Sequence, residues 1–110
     1  MTLNAIYRQG DVLVFETDEP VPTAAKVVKR DVRGWIVLAL GEQTGHTHAI
    51  LDRDVELLSV ADQVDRWLRV GAHGATVVHE EHAALSLPPG DYCVRIQRSY
   101  APDAIRNQAD

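Results

Sequence analysis

Apolar residues recur at every second position along most of this chain, in short segments that end at turn-forming residues. The segment DVLVFET (11–17) is rich in β-branched and aromatic residues, and DEPVP (18–22) closes it with two prolines. A period of two places alternate side chains on opposite faces of a strand. About eight such segments follow one another, without the long amphipathic helix that a βαβ unit requires. The sequence therefore predicts an all-β fold, a small β-sandwich or barrel.

The last of these segments, DYCVRIQRSY (91–100), predicts which side chains face the core. Tyr92, Val94 and Ile96 fall on one face and are expected to pack inward. The side chains expected on the other face are Cys93, Arg95, Gln97 and Ser99.

Two neighbouring parts of the chain give more specific expectations. WIVLALG (35–41) is apolar on both faces, which predicts a central strand or a strand that faces a neighbouring subunit. HAILD (48–52) and VELLSV (55–60) are separated by the dipeptide RD, which predicts a hairpin.

Helix formation competes at two places. ADQVDRWLR (61–69) has apolar residues at i, i+3 and i+4, so a helix is the alternative to the strand predicted over 65–70. Residues 101–110 begin with Pro102 and Asp103 after one alanine, which predicts a short C-terminal helix or a tail.

Length and charge limit the classes of function. The chain has 110 residues and a formal net charge of −5, which fits a single β domain over 1–110 and argues against nucleic acid held by charge. Its single cysteine, Cys93, suits a reducing compartment. The sequence lacks a signal-peptide pattern and any apolar run near the ~18 residues of a membrane helix. We therefore expect a cytoplasmic protein that binds neither nucleic acid nor membranes.

Four of the five histidines lie in two short segments, GHTHAI (45–50) and HEEH (79–82). His46 and His48 are two residues apart, so on a strand both rings lie on the same face with Cβ atoms about 6–7 Å apart. Two imidazoles at this spacing can bind one metal ion, because each metal–nitrogen bond is about 2.1 Å.

The second segment needs a turn or a bulge to join the same site, because His79 and His82 would point to opposite faces of a regular strand. Glu80 and Glu81 are candidates for catalysis as a general base, or for orienting an imidazole. The predicted metal ligands are His46, His48, His79 and His82, with Asp52 as a further carboxylate in support. They would bind a divalent transition metal: Zn²⁺, Fe²⁺, Ni²⁺, Mn²⁺ or Cu²⁺. His73, between glycines, is predicted to be a solvated turn residue.

Several motifs together resemble an uncharacterised family of small bacterial and phage β proteins. The shared pattern is RQGDVL, TGHxHAI, HEEH and LPPGxYxV, and it covers this chain from Arg8 to about Arg106. The resemblance implies no particular activity, but it supports the same choice of site residues.

The HxH pair also resembles that of cupins, which are small β-barrels. Cupins have a glutamate four or five residues after the pair, where this chain has Asp52, and a third histidine after a PxG turn. Here His79 and His82 come before the PPG segment instead. The resemblance implies a cupin-like barrel in which the later ligands stand in a different order.

Two functions of different classes fit these observations. The first is a small metal-binding protein, which could be a metal-dependent enzyme acting on a small molecule, with Arg95 and Gln97 orienting the substrate. Because the chain is short for an enclosed pocket, we expect its site at a subunit interface, and hence self-association. The second is a non-catalytic interaction or assembly module whose histidines are structural. The metal content of the purified protein separates the two.

Overall fold

A computed structural model describes residues 6–40 and 47–97, and within these ranges the chain forms ten strands and no helix. The strands are β1 (Ile6–Gln9), β2 (Val12–Glu16), β3 (Lys26–Val27), β4 (Ile36–Leu40), β5 (Thr47–Ile50), β6 (Val55–Ser59), β7 (Arg66–Val70), β8 (Ala75–Val78), β9 (Leu85–Leu87) and β10 (Gly90–Ile96). They form two antiparallel sheets, in the orders β1-β2-β10-β7-β6-β3 and β4-β5-β8-β9. The predicted all-β sandwich is confirmed. The predicted C-terminal helix or tail lies outside the described residues.

One hydrophobic core is built from alternate residues of both sheets, as the period-two pattern requires. On β10, Tyr92 and Val94 are buried and Ile96 packs partly buried against the core, which confirms the predicted inward face. The other core residues are Val12, Val14, Ile36, Leu38, Ile50, Val55, Leu57, Leu68, Val70, Ala75, Val77 and Leu87.

The first two strands form a hairpin whose turn is only two residues long. Gln9 pairs with Val12, which leaves Gly10 and Asp11 as the turn. Gly10 has a φ of 57°, a left-handed conformation that glycine adopts without the steric cost that a Cβ brings. This hairpin places β1 at the edge of the six-stranded sheet and buries the side chain of Gln9.

The expectation that segment 35–41 forms a central strand is wrong, because β4 lies at the edge of the four-stranded sheet. Ile36 and Leu38 are buried in the core and Ala39 packs partly buried against it, whereas Val37 on the other face is half-buried. The alternative, that the second face of β4 meets a neighbouring subunit, stays a prediction. The register with β5 shifts between Val37 and Ala39, so Leu38 is the extra residue of a bulge.

The hairpin predicted across residues 48–60 is also wrong. β5 pairs with β4 and β8, whereas β6 pairs with β3 and β7 in the other sheet. Residues 51–54 therefore cross between the sheets. The prediction failed because a short connection of this kind is compatible with a crossing between sheets and also with a hairpin turn.

Arg30 holds two such crossings together, the one between β3 and β4 and the one between β5 and β6. Its guanidinium donates hydrogen bonds to the carbonyl oxygens of Gly34 at 2.9 Å, Asp52 at 2.6 Å and Val55 at 2.9 Å. One cation thus satisfies carbonyls from both crossings.

The strand predicted over 65–70 is confirmed, and the helical alternative for 61–69 is wrong. β7 pairs with β6 on one side and with β10 on the other, so both of its backbone edges are hydrogen-bonded in the sheet. This pairing decides in favour of the strand. The sequence alone could not decide, because the apolar residues of so short a segment fit both the strand period of two and the helix period of about 3.6. In the described part of the chain, helices long and apolar enough to cross a membrane are absent.

Candidate metal centre

Three of the four predicted ligands lie together. His48 is on β5, and His79 and His82 lie in the connection between β8 and β9. Their ring centroids are 4.3 Å apart for His48 and His79, 4.6 Å for His79 and His82, and 5.9 Å for His48 and His82. The structure therefore brings the second histidine segment against the first. His46 lies outside the described residues.

The connection between β8 and β9 achieves this because the strand ends at Val78, before the first histidine. The Nδ1 atom of His79 accepts a hydrogen bond from the backbone N–H of Glu81 at 3.0 Å, which turns the chain. The Oε1 atom of Glu80 accepts one from the backbone N–H of Thr47, also at 3.0 Å. Glu80 therefore ties the histidine connection to the residue directly before His48. Both glutamate side chains are exposed.

His48 faces the interior of the sandwich. It shares a strand face with the core residue Ile50, and only 4% of its surface is exposed. Burial lowers the pKa of His48, and the nearby rings of His79 and His82 lower it further. Asp11 and Glu80 act in the opposite direction but more weakly. The result is a neutral imidazole near pH 7, which is the form that binds a metal ion.

Gln9 fixes the tautomer of that imidazole. Its Nε2 atom donates to the carbonyl oxygens of Val77 and Ala83, both at 2.9 Å. These two bonds use both amide protons, so Oε1 is the atom 2.9 Å from Nδ1 of His48 and it can only accept. Nδ1 of His48 therefore carries the proton, and the lone pair of the neutral ring is on Nε2.

Gly10 allows the β1–β2 turn to approach the rings. A Cβ atom at this position would lie 2.8 Å from Nε2 of His82 and 3.2 Å from Cε1 of His48. A side chain here would therefore displace at least one imidazole. Neither Gln9 nor Gly10 was predicted as a site residue, although both fall within the RQGDVL motif.

The geometry is close to that of a metal site without completing one. In the ranges that the structure describes, no group of three or more His, Cys, Asp and Glu side chains is arranged to hold a metal ion. Three imidazoles that bind one ion through nitrogen at about 2.1 Å have centroids about 4.5–5.2 Å apart. Of the three observed separations, 4.6 Å lies within this range, 4.3 Å is slightly below it and 5.9 Å is above it. The separation that is too long, between His48 and His82, involves the exposed ring of His82.

The remaining predicted residues lie elsewhere or have other partners. Asp52 accepts a hydrogen bond from the backbone N–H of Thr76 at 3.0 Å. His73 is in an exposed turn, and its Nδ1 lies 3.5 Å from a carboxylate oxygen of Asp54. Arg95 makes two hydrogen bonds to Asp65, and the side-chain oxygen of Gln97 accepts one from Arg8.

One comparison with known proteins identifies a family. A family model described as a domain of unknown function, DUF8820, matches residues 8–97, and the chain belongs to this family. No curated protein and no solved structure gives a significant match.

Proposed function

We propose that this member of the DUF8820 family binds one divalent transition-metal ion through His48, His79 and His82, with His46 as a further ligand. The observation that carries the proposal is the hydrogen bond from Nδ1 of His48 to Gln9. Histidines that bind metals commonly donate their other ring N–H to a carbonyl or carboxylate oxygen, which fixes the tautomer and makes the ligating nitrogen more basic. Gln9 supplies such an oxygen on a buried and anchored side chain.

The Nε2 atom of His48 supports the proposal because a buried lone pair is costly without a partner. Among the described residues, the only hydrogen bond of the His48 ring is the one between its Nδ1 atom and Gln9. The rings of His79 and His82 are its neighbours. A metal ion bound at Nε2 would satisfy the lone pair.

The other two ligands can adapt. His82 is exposed, so its ring can rotate towards the ion without disturbing the core. His79 can bind through Nδ1 by releasing the Glu81 N–H. The neutral nitrogen donors suit Zn²⁺, Fe²⁺, Ni²⁺, Mn²⁺ or Cu²⁺.

A bound ion would allow catalysis on a small molecule, because it would activate water or polarise a substrate oxygen. Glu80 and Glu81 are the proposed proton carriers. Glu80 also accepts the Thr47 N–H, and we therefore assign it the positioning of the histidine connection as well.

The experiment is to measure bound metal by mass spectrometry and the melting temperature with added Zn²⁺, Fe²⁺ and Ni²⁺. We expect about one equivalent in the wild type and a rise in melting temperature, because a ligand that binds only the native state stabilises it. His82→Ala is the most useful variant, since the ring is exposed and its loss leaves the core intact. It should lose most of the metal, whereas His73→Ala should retain it.

Less than about one tenth of an equivalent, together with no rise in melting temperature, would overturn the proposal. The histidines would then be structural, as in the interpretation of the chain as an assembly module. Equal metal loss in His73→Ala and His82→Ala would contradict the choice of ligands.

A further inference from the structure

Arg66 carries a positive charge on the inner face of the six-stranded sheet. It pairs with Val94 on β10, and Val94 pairs with Val14 on β2. Paired residues of an antiparallel ladder point to the same face, and both valines are fully buried core residues. Arg66 also shares a face with Leu68, two residues along β7, which is buried in the same core. Its side chain therefore extends towards the four-stranded sheet.

The guanidinium of Arg66 has few partners for a group with five N–H donors. Its Nη2 atom donates to the carbonyl oxygen of Leu38 at 2.5 Å, and this is its hydrogen bond within the described residues. The side chain is half-buried, and burial lowers its pKa, with no carboxylate of the described residues acting in the opposite direction. Several N–H groups of a partly desolvated cation are thus available to an anion.

Three other arginines use more of their guanidinium N–H groups in hydrogen bonds. Arg95 makes two hydrogen bonds to Asp65, Arg33 makes two to Asp31, and Arg30 is shared among backbone carbonyls. Because Arg95 is committed to Asp65, it is a poor candidate for the substrate-orienting role that the sequence predicted for it. Arg66 fits that role better.

The partner of Arg66 places it beside the histidine cluster. Leu38 is the bulged residue of β4, and the next residue, Ala39, pairs with His48 on β5. Paired Cα atoms are about 5 Å apart in an antiparallel ladder, so the guanidinium lies within about 10 Å of the His48 Cα atom.

We propose that Arg66 binds a carboxylate group of a small organic acid whose other end reaches the metal ion. This inference rests on the proposed function, and it names the class of molecule that the site would take. A guanidinium binds a carboxylate through two parallel hydrogen bonds, which orient the acid as well as hold it.

The experiment measures binding of succinate to metal-loaded protein by calorimetry at constant ionic strength, with succinamide as an uncharged analogue of similar shape. Succinate should bind and succinamide should not. Arg66→Met should weaken succinate binding roughly 10- to 100-fold, because it removes a charge-assisted pair of hydrogen bonds. Arg66→Lys keeps the charge but cannot form the two parallel hydrogen bonds. Its affinity for succinate should therefore lie between those of the wild type and Arg66→Met.

The control variant is Arg69→Met. Arg69 is on the same strand but on its exposed face, where it lies 3.9 Å from Glu56 and 3.7 Å from Asp91. The Arg69→Met substitution removes the same charge as Arg66→Met, and it should leave the affinity for succinate unchanged within about twofold.

Metal content measured on the same samples separates the two proposals. If metal-loaded wild type does not bind succinate, or if Arg66→Met and Arg66→Lys bind it as well as wild type does, the carboxylate site is overturned and the metal site stands. If succinate binds in an Arg66-dependent manner while no metal is held, the proposed metal function fails and the anion site is supported.

Discussion

Replacing Gln9 with leucine removes three hydrogen bonds and leaves the side-chain volume nearly unchanged. The lost bonds are those to His48 and to the carbonyl oxygens of Val77 and Ala83, all at 2.9 Å. Gln9 is 3% exposed, so water does not readily replace them. At about 1 kcal/mol for each net hydrogen bond, we expect the free energy of unfolding to fall by about 3 kcal/mol.

The same substitution should weaken metal binding by more than the loss of stability explains. Without the Gln9 oxygen, the His48 ring is free to change tautomer and to rotate. The loss of an outer partner of a ligating histidine typically costs about 10- to 100-fold in metal affinity, or about 1.4–2.8 kcal/mol.

Urea unfolding followed by tryptophan fluorescence measures the first effect, and competition with a chromophoric chelator measures the second. Gln97→Leu is the matched control, because Gln97 is exposed and its oxygen bonds to Arg8 alone among the described residues. This control should change the unfolding free energy by less than about 0.5 kcal/mol. Gln9→Leu with wild-type stability and wild-type metal affinity would refute the idea that Gln9 fixes His48.

Two further predictions concern Gly10 and Cys93. Gly10→Ala should cost about 1–2 kcal/mol for its left-handed φ and should also weaken metal binding, because the new Cβ meets His82. Gly34→Ala has a similar φ in open space and should show the first effect without the second in the same two assays. Burial, and then Asp65, raise the pKa of the Cys93 thiol from 9.0 to about 11, so iodoacetamide at pH 8 should label the native protein far more slowly than the unfolded chain. The stability that the protonated thiol contributes is complete below about pH 9 and is lost as pH rises through about 11; equal labelling rates or an unchanged unfolding free energy over that range would contradict this.

The strands were predictable where the alternation of apolar and polar residues fitted a strand and no other element. The alternation over β10 predicts both the strand and its buried face, since a period of two places alternate residues on one face. The place of β4 in its sheet was not predictable in this way. Whether β4 has a neighbouring strand on each side depends on contacts that are distant in sequence.

The same distinction applies to the site. His48, His79 and His82 stand out in the sequence by residue type and grouping. Gln9 does not, because its role comes from bonds to residues 39, 68 and 74 positions away. The spacing of residues around Gln9 does not indicate such contacts, although the RQGDVL motif includes Gln9.

The bonds that Arg30 makes have a consequence for how the protein opens. Its guanidinium is shared between the segment that enters β4 and the segment that enters β6, so releasing one leaves donors unsatisfied at the other. The two segments should therefore unfold locally as one unit, with amide protons near Gly34 and Val55 exchanging at similar rates. In Arg30→Met the two exchange rates should separate, each following the contacts of its own sheet.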